Sequence, residues 1–332
     1  MGGLELVYAL VSIVVFPGVL FLVALSLFTE YMVRKISARY QRRMGPSYVG
    51  PFGILQPFFD LLKLVRVKEI VVSRYGMYRA AEVMLLIGIA FIAGSVVLLP
   101  LSLYNVIGEF DLLVFFYMSS VMPLFMLILA SLSMPSPYTV IGVSRLLSII
   151  TIAEPAYFAS LVIPAYLATR NAHPFMSIAV AYANVPALWL NPLTALIMLL
   201  SVIAFVVSVQ AKSMLQPFNI PEAEQEIIAG FETEFSGPVL GLARLLHDLD
   251  IAVTLIVGAY LLLGGPAPFR HLSIEGVLLL VIKYLALLLV IVTIRNIMGR
   301  YRIEQALVQL FKYGLVPSLV ATGLALTLGP MA

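Results

Sequence analysis

The sequence predicts an all-α integral membrane protein of about eight transmembrane helices, with an amphipathic helix on the cytoplasmic side. Three observations carry this prediction. Of 332 residues, 62% are hydrophobic and only 11% are charged, against about 25% in an ordinary soluble domain. So few charges cannot cover a water-facing surface, and a soluble enzyme is excluded. Eight runs are apolar over the roughly 20 residues that cross a bilayer core. Finally, the basic residues divide unevenly between alternate loops.

The apolar runs cover 4–30, 81–103, 112–132, 146–169, 187–210, 238–263, 274–294 and 313–330. Each is expected to be helical, because a spanning backbone must satisfy its own hydrogen bonds. Period-2 alternation is absent, which argues against a β-barrel. No basic stretch precedes the first run, so it reads as a retained span and not a cleaved signal. Pro155 and Pro164 fall inside the fourth run and are expected to kink it. Segment 54–64 is too short to span. Its Phe58, Leu61, Leu62 and Val65 recur at helical spacing, which fits an amphipathic helix at the membrane surface. The turn before it, Gly45 to Gly53, is dense in glycine and proline.

Loops 34–79, 133–145, 211–237 and 295–312 carry sixteen Lys or Arg, and the alternate loops carry only Arg170 and Arg270. This asymmetry makes the four large loops cytoplasmic. With eight spans, both termini then lie outside. The chain reads as one polytopic domain over 1–332 in the cell membrane. It has no Cys, which excludes disulfides, thiolate metal sites and iron–sulfur clusters on cysteine ligands. His173, His247 and His271 show no metal-ligand spacing. Any redox metal is therefore expected on a partner.

Ionisable groups within a span cost about 2.5–3.5 kcal/mol at its centre and usually mark a pathway. Glu30, Glu154, Arg244, His247, Asp248, Asp250 and Lys283 are the candidates. Glu154 and Lys283 lie deepest. Glu154 reads as a proton relay or as a structural carboxylate paired with an arginine. Glu30 and Arg244 lie near span ends and can snorkel. The His247, Asp248 and Asp250 group reads as a pathway or as an interfacial helix start. Loop 211–237 sets Glu222, Glu224, Glu226, Glu232 and Glu234 against Lys212 alone. If 222–226 is helical, Glu222 and Glu226 share a face. Shielded from water, such a cluster would share protons; exposed, it is a solvated acidic loop. It lacks EF-hand spacing.

Four segments carry a resemblance. The first loop has Gln41, Arg43, Gly45-Pro46, Val49-Gly50-Pro51, Gly53, Leu55-Gln56-Pro57, Asp60, Lys63-Leu64 and Lys68-Glu69. Tyr138, Gly142 and Arg145 precede Glu154 by a short interval. Pro217-Phe218-Asn219 leads through Pro221-Glu222-Ala223-Glu224-Gln225-Glu226 to Glu234-Phe235-Ser236-Gly237. The last loop has Arg295, Arg300, Tyr301-Arg302, Glu304-Gln305 and Lys312. Over essentially its whole length the sequence resembles the NADH-quinone oxidoreductase H-subunit family, which includes mitochondrial NADH dehydrogenase subunit 1 and membrane subunits of energy-converting hydrogenases.

The resemblance implies a subunit at the joint between a redox arm and an ion-pumping membrane arm. It implies that this chain binds no cofactor itself and that iron–sulfur clusters sit on partners, with quinone a possible ligand. Implied partners are the cluster-bearing small subunit, the large subunit, and antiporter-like and small membrane subunits, with the lipid bilayer and no nucleic acid. Arg34, Arg42, Arg43, Gln56, Asp60, Lys63, Arg295, Arg300 and Arg302 would dock the redox arm or wall a quinone-like chamber. Glu154, Glu222, Glu224, Glu226, Glu234, Arg145, His247, Asp248 and Lys283 would form the proton or sodium coupling route. Two positions depart from the family pattern. Val33 stands where a Glu often precedes the Arg-Lys pair, with Glu30 one turn earlier. His247, followed by Asp248, stands where the quinone branch has a Glu near the start of its sixth span. Both fit a branch such as membrane-bound hydrogenases or sulfur-reducing complexes, whereas the Val49 to Gly53 turn looks more like the quinone branch. A passive membrane anchor and a stand-alone secondary transporter remain alternatives, although the paired interrupted halves of many transporters are not evident.

Overall fold

The computed structural model describes residues 14–101, 107–270 and 273–328. The described residues form helices, turns and loops. Helix α1 is Val19–Tyr40, α2 Gln56–Arg66 and α3 Tyr78–Ser95. Helix α4 is Asp111–Leu132, α5 Pro137–Thr169, α6 Ile178–Leu190 and α7 Pro192–Lys212. Helix α8 is Gly237–Leu261, α9 Ile274–Ile297 and α10 Ile303–Thr327.

Six of these, α3, α4, α5, α7, α9 and α10, are long and apolar enough to cross a membrane. The chain is a multi-pass membrane protein. Of the eight runs expected, the other two belong to α1 and α8. Residues 4–13 of the first run, both termini and His271 lie outside the described residues. Helix α8 has 25 residues, but Arg244, Asp248 and Asp250 interrupt its apolar character.

Several boundaries move from their expected places, each for a local reason. Helix α1 runs past residue 34 to Tyr40, so Arg34, Lys35 and Arg39 ride its last turns instead of opening a loop. No breaker intervenes before Gly45-Pro46, and cations suit a helix C-terminus. The run 187–210 is two helices, because Asn191 caps α7 by accepting from the Leu193 N–H and Pro192 takes the first helical position. Pro155 and Pro164 lie inside one continuous helix of 33 residues. At 1.5 Å per residue α5 is about 50 Å long, which exceeds a bilayer core of about 30 Å. Its first turns, capped by Ser136, therefore extend to the loops. Helix α10 starts ten residues earlier than the expected span and contains a π turn at Phe311–Leu315. Helix α4 contains another at Tyr117–Val121.

Helix α8 runs through the middle of the bundle, with Val253, Val257, Tyr260 and Leu261 fully buried. A Cβ at Gly258 would overlap the ring of Phe205 on α7. The missing side chain lets two helices approach closely, as in membrane packing generally. The Phe205 and Tyr157 rings stack with centroids 5.9 Å apart. Side-chain bonds also tie the bundle: Thr29 Oγ1 and Tyr284 OH share a hydrogen bond of 2.5 Å between α1 and α9, and Gln210 Nε2 donates to the Ile291 carbonyl at 2.8 Å.

Candidate functional site

Helix α2 lies on α8, where Gly241 leaves room for Leu61, Leu64 and Val65. Of the expected apolar stripe, Leu61 and Val65 contact α8, but Val65 stays partly exposed, as do Phe58 and Leu62 together with Phe59. Arg34 latches α2 to α1, reaching Glu30 and Asp60 at 2.5 Å each. Gln56 Nε2 holds the other Asp60 oxygen at 2.8 Å. Ser236 Oγ accepts from the Val71 N–H and donates to its carbonyl, fixing the end of the first loop beside α8.

The acidic loop is folded by two glycines. Gly230 has φ +57 and sits against the Pro221 carbonyl, where a Cβ would overlap the oxygen. Gly142 on α5 leaves room for the backbone of Gly230 and Phe231. The loop thus doubles back onto α5 and brings Glu232 beside Glu222. The supposed helix over 222–226 is absent: Ala223, at φ −64 and ψ 88, is not helical, and only Glu224–Ile227 form one turn. Glu222 and Glu226 therefore do not share a helix face. Glu226 turns to Arg145 at 2.5 Å and is exposed, and the interacting pair is Glu222 with Glu232. Burial and the charge of Glu232 push the Glu222 carboxyl up to about 8. Burial also raises Glu232, against the lowering pull of Arg244.

These elements enclose a chamber of about 520 Å³. Of its 23 lining residues, twelve are ionisable: six carboxylates, five cations and His247. Glu30, Asp60, Glu222, Glu224, Glu232 and Asp248 supply the carboxylates. A second cavity of about 30 Å³ lies deeper, lined by Ser120, Glu154, Lys212 and Asp250 among others. That volume holds about one water. Lys212, counted above as a loop charge, is instead the last residue of α7 and only 5% exposed. It pairs with Asp250 at 2.5 Å, donates to Thr254 Oγ1 at 3.2 Å, and lies 4.8 Å from the Tyr157 ring centroid. Ser213 Oγ donates to the second Asp250 oxygen at 3.3 Å. Glu154 accepts from Ser120 Oγ at 2.8 Å. Its attracting charge is Lys212, not an arginine, and Asp250 repels it. Ser120 belongs to the π turn of α4, a distortion that often re-aims a side chain at a functional site.

His247 and Met214 line both cavities. His247 stands ten residues into α8, so the His247, Asp248 and Asp250 group is not a helix start.

A family model described as NADH dehydrogenase matches residues 11–326. The chain belongs to the NADH dehydrogenase family. Among its relatives, the H subunit of NADH-quinone oxidoreductase from Paraburkholderia phymatum is 32% identical over 317 residues, 90% of this chain and 85% of that protein. The corresponding protein of Wolbachia pipientis wMel is 29% identical over 303 residues, 84% of each chain. A solved structure of an archaeal respiratory membrane complex, the membrane-bound sulfane sulfur reductase, contains a chain of the same fold. It is similar at TM-score 0.76 and 23% identity, covering 97% of this chain and 98% of that one.

In this NADH dehydrogenase family member, the chamber gathers Arg34, Asp60, Lys63, Arg295, Glu222, Glu224, His247 and Asp248. Val33 and Glu30, at and beside the first family departure, both line it. Glu154 belongs to the inner cavity. Other sites read from the sequence fall elsewhere. Lys283 donates to the carbonyls of Gly265 and Ala267 at 2.7 and 3.1 Å, capping a turn away from both cavities. Glu234 lies outside the chamber lining. Arg42 and Arg43 are exposed, with Arg43 Nε donating to Gln41. Arg302 is exposed and Arg300 is half-buried at the start of α10, where the Tyr301 N–H donates to the Pro217 carbonyl at 3.1 Å. Lys212, Glu232 and Ser120 carry no expectation of a coupling role from the sequence, whereas Asp250 does, as a member of the His247, Asp248 and Asp250 group. The pairing of Asp250 with Lys212 is not legible in the sequence, because 38 residues separate them.

Proposed function

We propose that this chain is the membrane-embedded coupling subunit of a complex-I-like, redox-driven ion pump. In this reading its large loops face the cytoplasm and dock an iron–sulfur redox arm, and the chain binds no cluster itself. Its relatives are named as subunits of a quinone oxidoreductase, and its structural neighbour comes from a sulfur reductase. The observation that carries the reading is the arrangement of the two cavities. A charged chamber at the loop end meets a buried Glu154–Lys212–Asp250 cluster through a shared wall. A change of charge in the redox arm alters how many protons the Glu222–Glu232 pair holds, because like charges in a shielded site respond strongly to one another. The inner cluster is the next acceptor. Lys212 already sits as a cation on Asp250, where a sodium ion would need oxygen ligands free of it. Protons are therefore the favoured ion.

Glu154→Gln tests the reading. In the intact complex reconstituted into vesicles, proton translocation is expected to fall at least tenfold, whether the redox arm stalls or runs uncoupled. A passive anchor would leave both translocation and turnover unchanged, and that result would overturn the proposal. Docking has its own test. The chain has no Cys, so Arg42→Cys gives a single labelling position. A photocrosslinker there is expected to capture the cluster-bearing subunit. Crosslinks to lipid alone would remove this loop from the docking surface.

A further inference from the structure

We infer that Lys283, with Arg270 above it, binds the phosphate of an anionic phospholipid at the end of the bundle opposite the chamber. Lys283 lies away from both cavities, so this site is independent of the coupling route. It remains a cation in an apolar span, which calls for a counter-charge.

The level of the ammonium fits a lipid headgroup. Lys283 stands nine residues after Ile274, where α9 starts. Arg295, which lines the chamber, stands twelve residues further on, about 18 Å along the axis at 1.5 Å per residue. Side chains of a helix lean toward its N-terminus, and the long lysine stem carries Nζ away from the chamber. There it meets the loop after α8 and donates to the carbonyls of Gly265 and Ala267. Irregular backbone does not face hydrocarbon, so these carbonyls mark the edge of the bilayer core. Trp189 marks the same edge. Its indole N–H donates to the Leu262 carbonyl at 2.9 Å, three residues before Gly265, its ring is partly exposed, and tryptophans gather at headgroup level.

The charge there is unanswered. The two carbonyls take two of the three ammonium hydrogens and leave one. Among the described residues, no carboxylate pairs with Lys283 or Arg270. Glu275 stands about 12 Å up the helix from Lys283 and about 80° round it. Ser273 Oγ donates to the Arg270 carbonyl at 2.8 Å, and that carbonyl lies where a Cβ of Gly276 would be. Gly276 is two turns above Lys283 on the same face of α9. Arg270 is exposed, and its guanidinium, on a stem that long, can meet a phosphate held at Lys283 Nζ.

The neighbouring surface favours lipid over a second protein. Only 28% of the apolar stretch of α9 is buried, against 50% for α5 and α7. Beside Lys283 the exposed strip is Val277, Leu278, Val281 and Ile282. It offers no small or polar residue of the kind that joins helices in membranes, whereas acyl chains need only apolar contact.

Photocrosslinking tests the site. A diazirine amino acid replaces the exposed Leu278 in the intact complex, reconstituted into vesicles of equal parts phosphatidylglycerol and phosphatidylcholine. Captured molecules are identified by mass spectrometry. The natural chain is expected to capture phosphatidylglycerol in more than about fivefold excess. Each basic residue near the headgroups contributes about 1 kcal/mol, so Lys283→Gln is expected to lower that excess about fivefold, and Lys283→Arg to keep it. Arg270→Gln, which leaves the capped turn intact, takes the place of Lys283→Gln if that variant does not assemble. Capture at the vesicle ratio by the natural chain would overturn the inference. So would an unchanged excess in the neutral variant, or capture of another subunit in place of lipid. Inorganic phosphate added to the buffer should leave the excess intact; its loss would assign the site to free phosphate and overturn the lipid.

Discussion

Lys212→Ala is expected to destabilise the subunit by about 3–5 kcal/mol, the range for removing one partner of a buried ion pair. Lys212 has a side chain only 4% exposed, and its Asp250 partner is 17% exposed. Without the ammonium, Asp250 keeps, among the described residues, only the weak donor Ser213, and Glu154 loses its attracting charge. A lower unfolding midpoint of the purified complex, or failure of the subunit to assemble, checks this. The double variant Lys212→Met with Asp250→Leu separates stability from function. Apolar replacement of a whole buried pair is often neutral or stabilising, so this variant should fold and assemble. It should still fail to translocate protons. A double variant that pumps normally would reduce the pair to a packing element.

Gly230→Ala is expected to unseat the acidic loop. The residue adopts φ +57, and its added methyl would overlap the Pro221 carbonyl oxygen. A left-handed conformation costs a non-glycine residue about 1–2 kcal/mol, and overpacking against backbone adds about 1–3 kcal/mol. Gly142→Val attacks the same contact from α5. Both variants should show faster proteolysis within 213–236 and a lower unfolding midpoint. Gly299→Ala is the control, since nothing lies within 4 Å of its added carbon. Equal behaviour of all three would mean that the loop is not held by these glycines.

The membrane character and the helices were legible because lipid imposes one rule on every span: each backbone group must bond within its own segment. Glu154 was legible for the same reason, since a lone carboxylate among Ile152, Ala153 and Ala156 is conspicuous. The resemblance added the family. Three-dimensional pairing was harder to read. Lys212 reads as a loop charge because the apolar run ends at residue 210, two residues before the helix does, and its partner lies on another helix. Helical spacing would pair Glu222 with Glu226, yet Ala223 leaves the helical region and the pair forms with Glu232 after the turn at Gly230. Lys283 looked costly in mid-span, but the structure gives it two backbone carbonyls. Sequence distance carries little information about such contacts, because backbone turns and side-chain reach decide them.

Redox events in the partner arm are expected to change the proton occupancy of the chamber. Infrared difference spectra of the intact complex, stepped between oxidised and reduced states across pH, test it most directly. Glu222, held up to about 8, is expected to contribute a protonated-carboxyl band near neutral pH. The band should change on reduction, disappear in Glu222→Gln, and titrate at lower pH in Glu232→Gln. The sign follows from linkage. A carboxyl raised in the folded state keeps its proton after the unfolded chain has lost it, so this group stabilises the fold less as pH rises from about 4.5 toward 8. Identical difference spectra for the natural chain and Glu222→Gln at every pH would contradict the account.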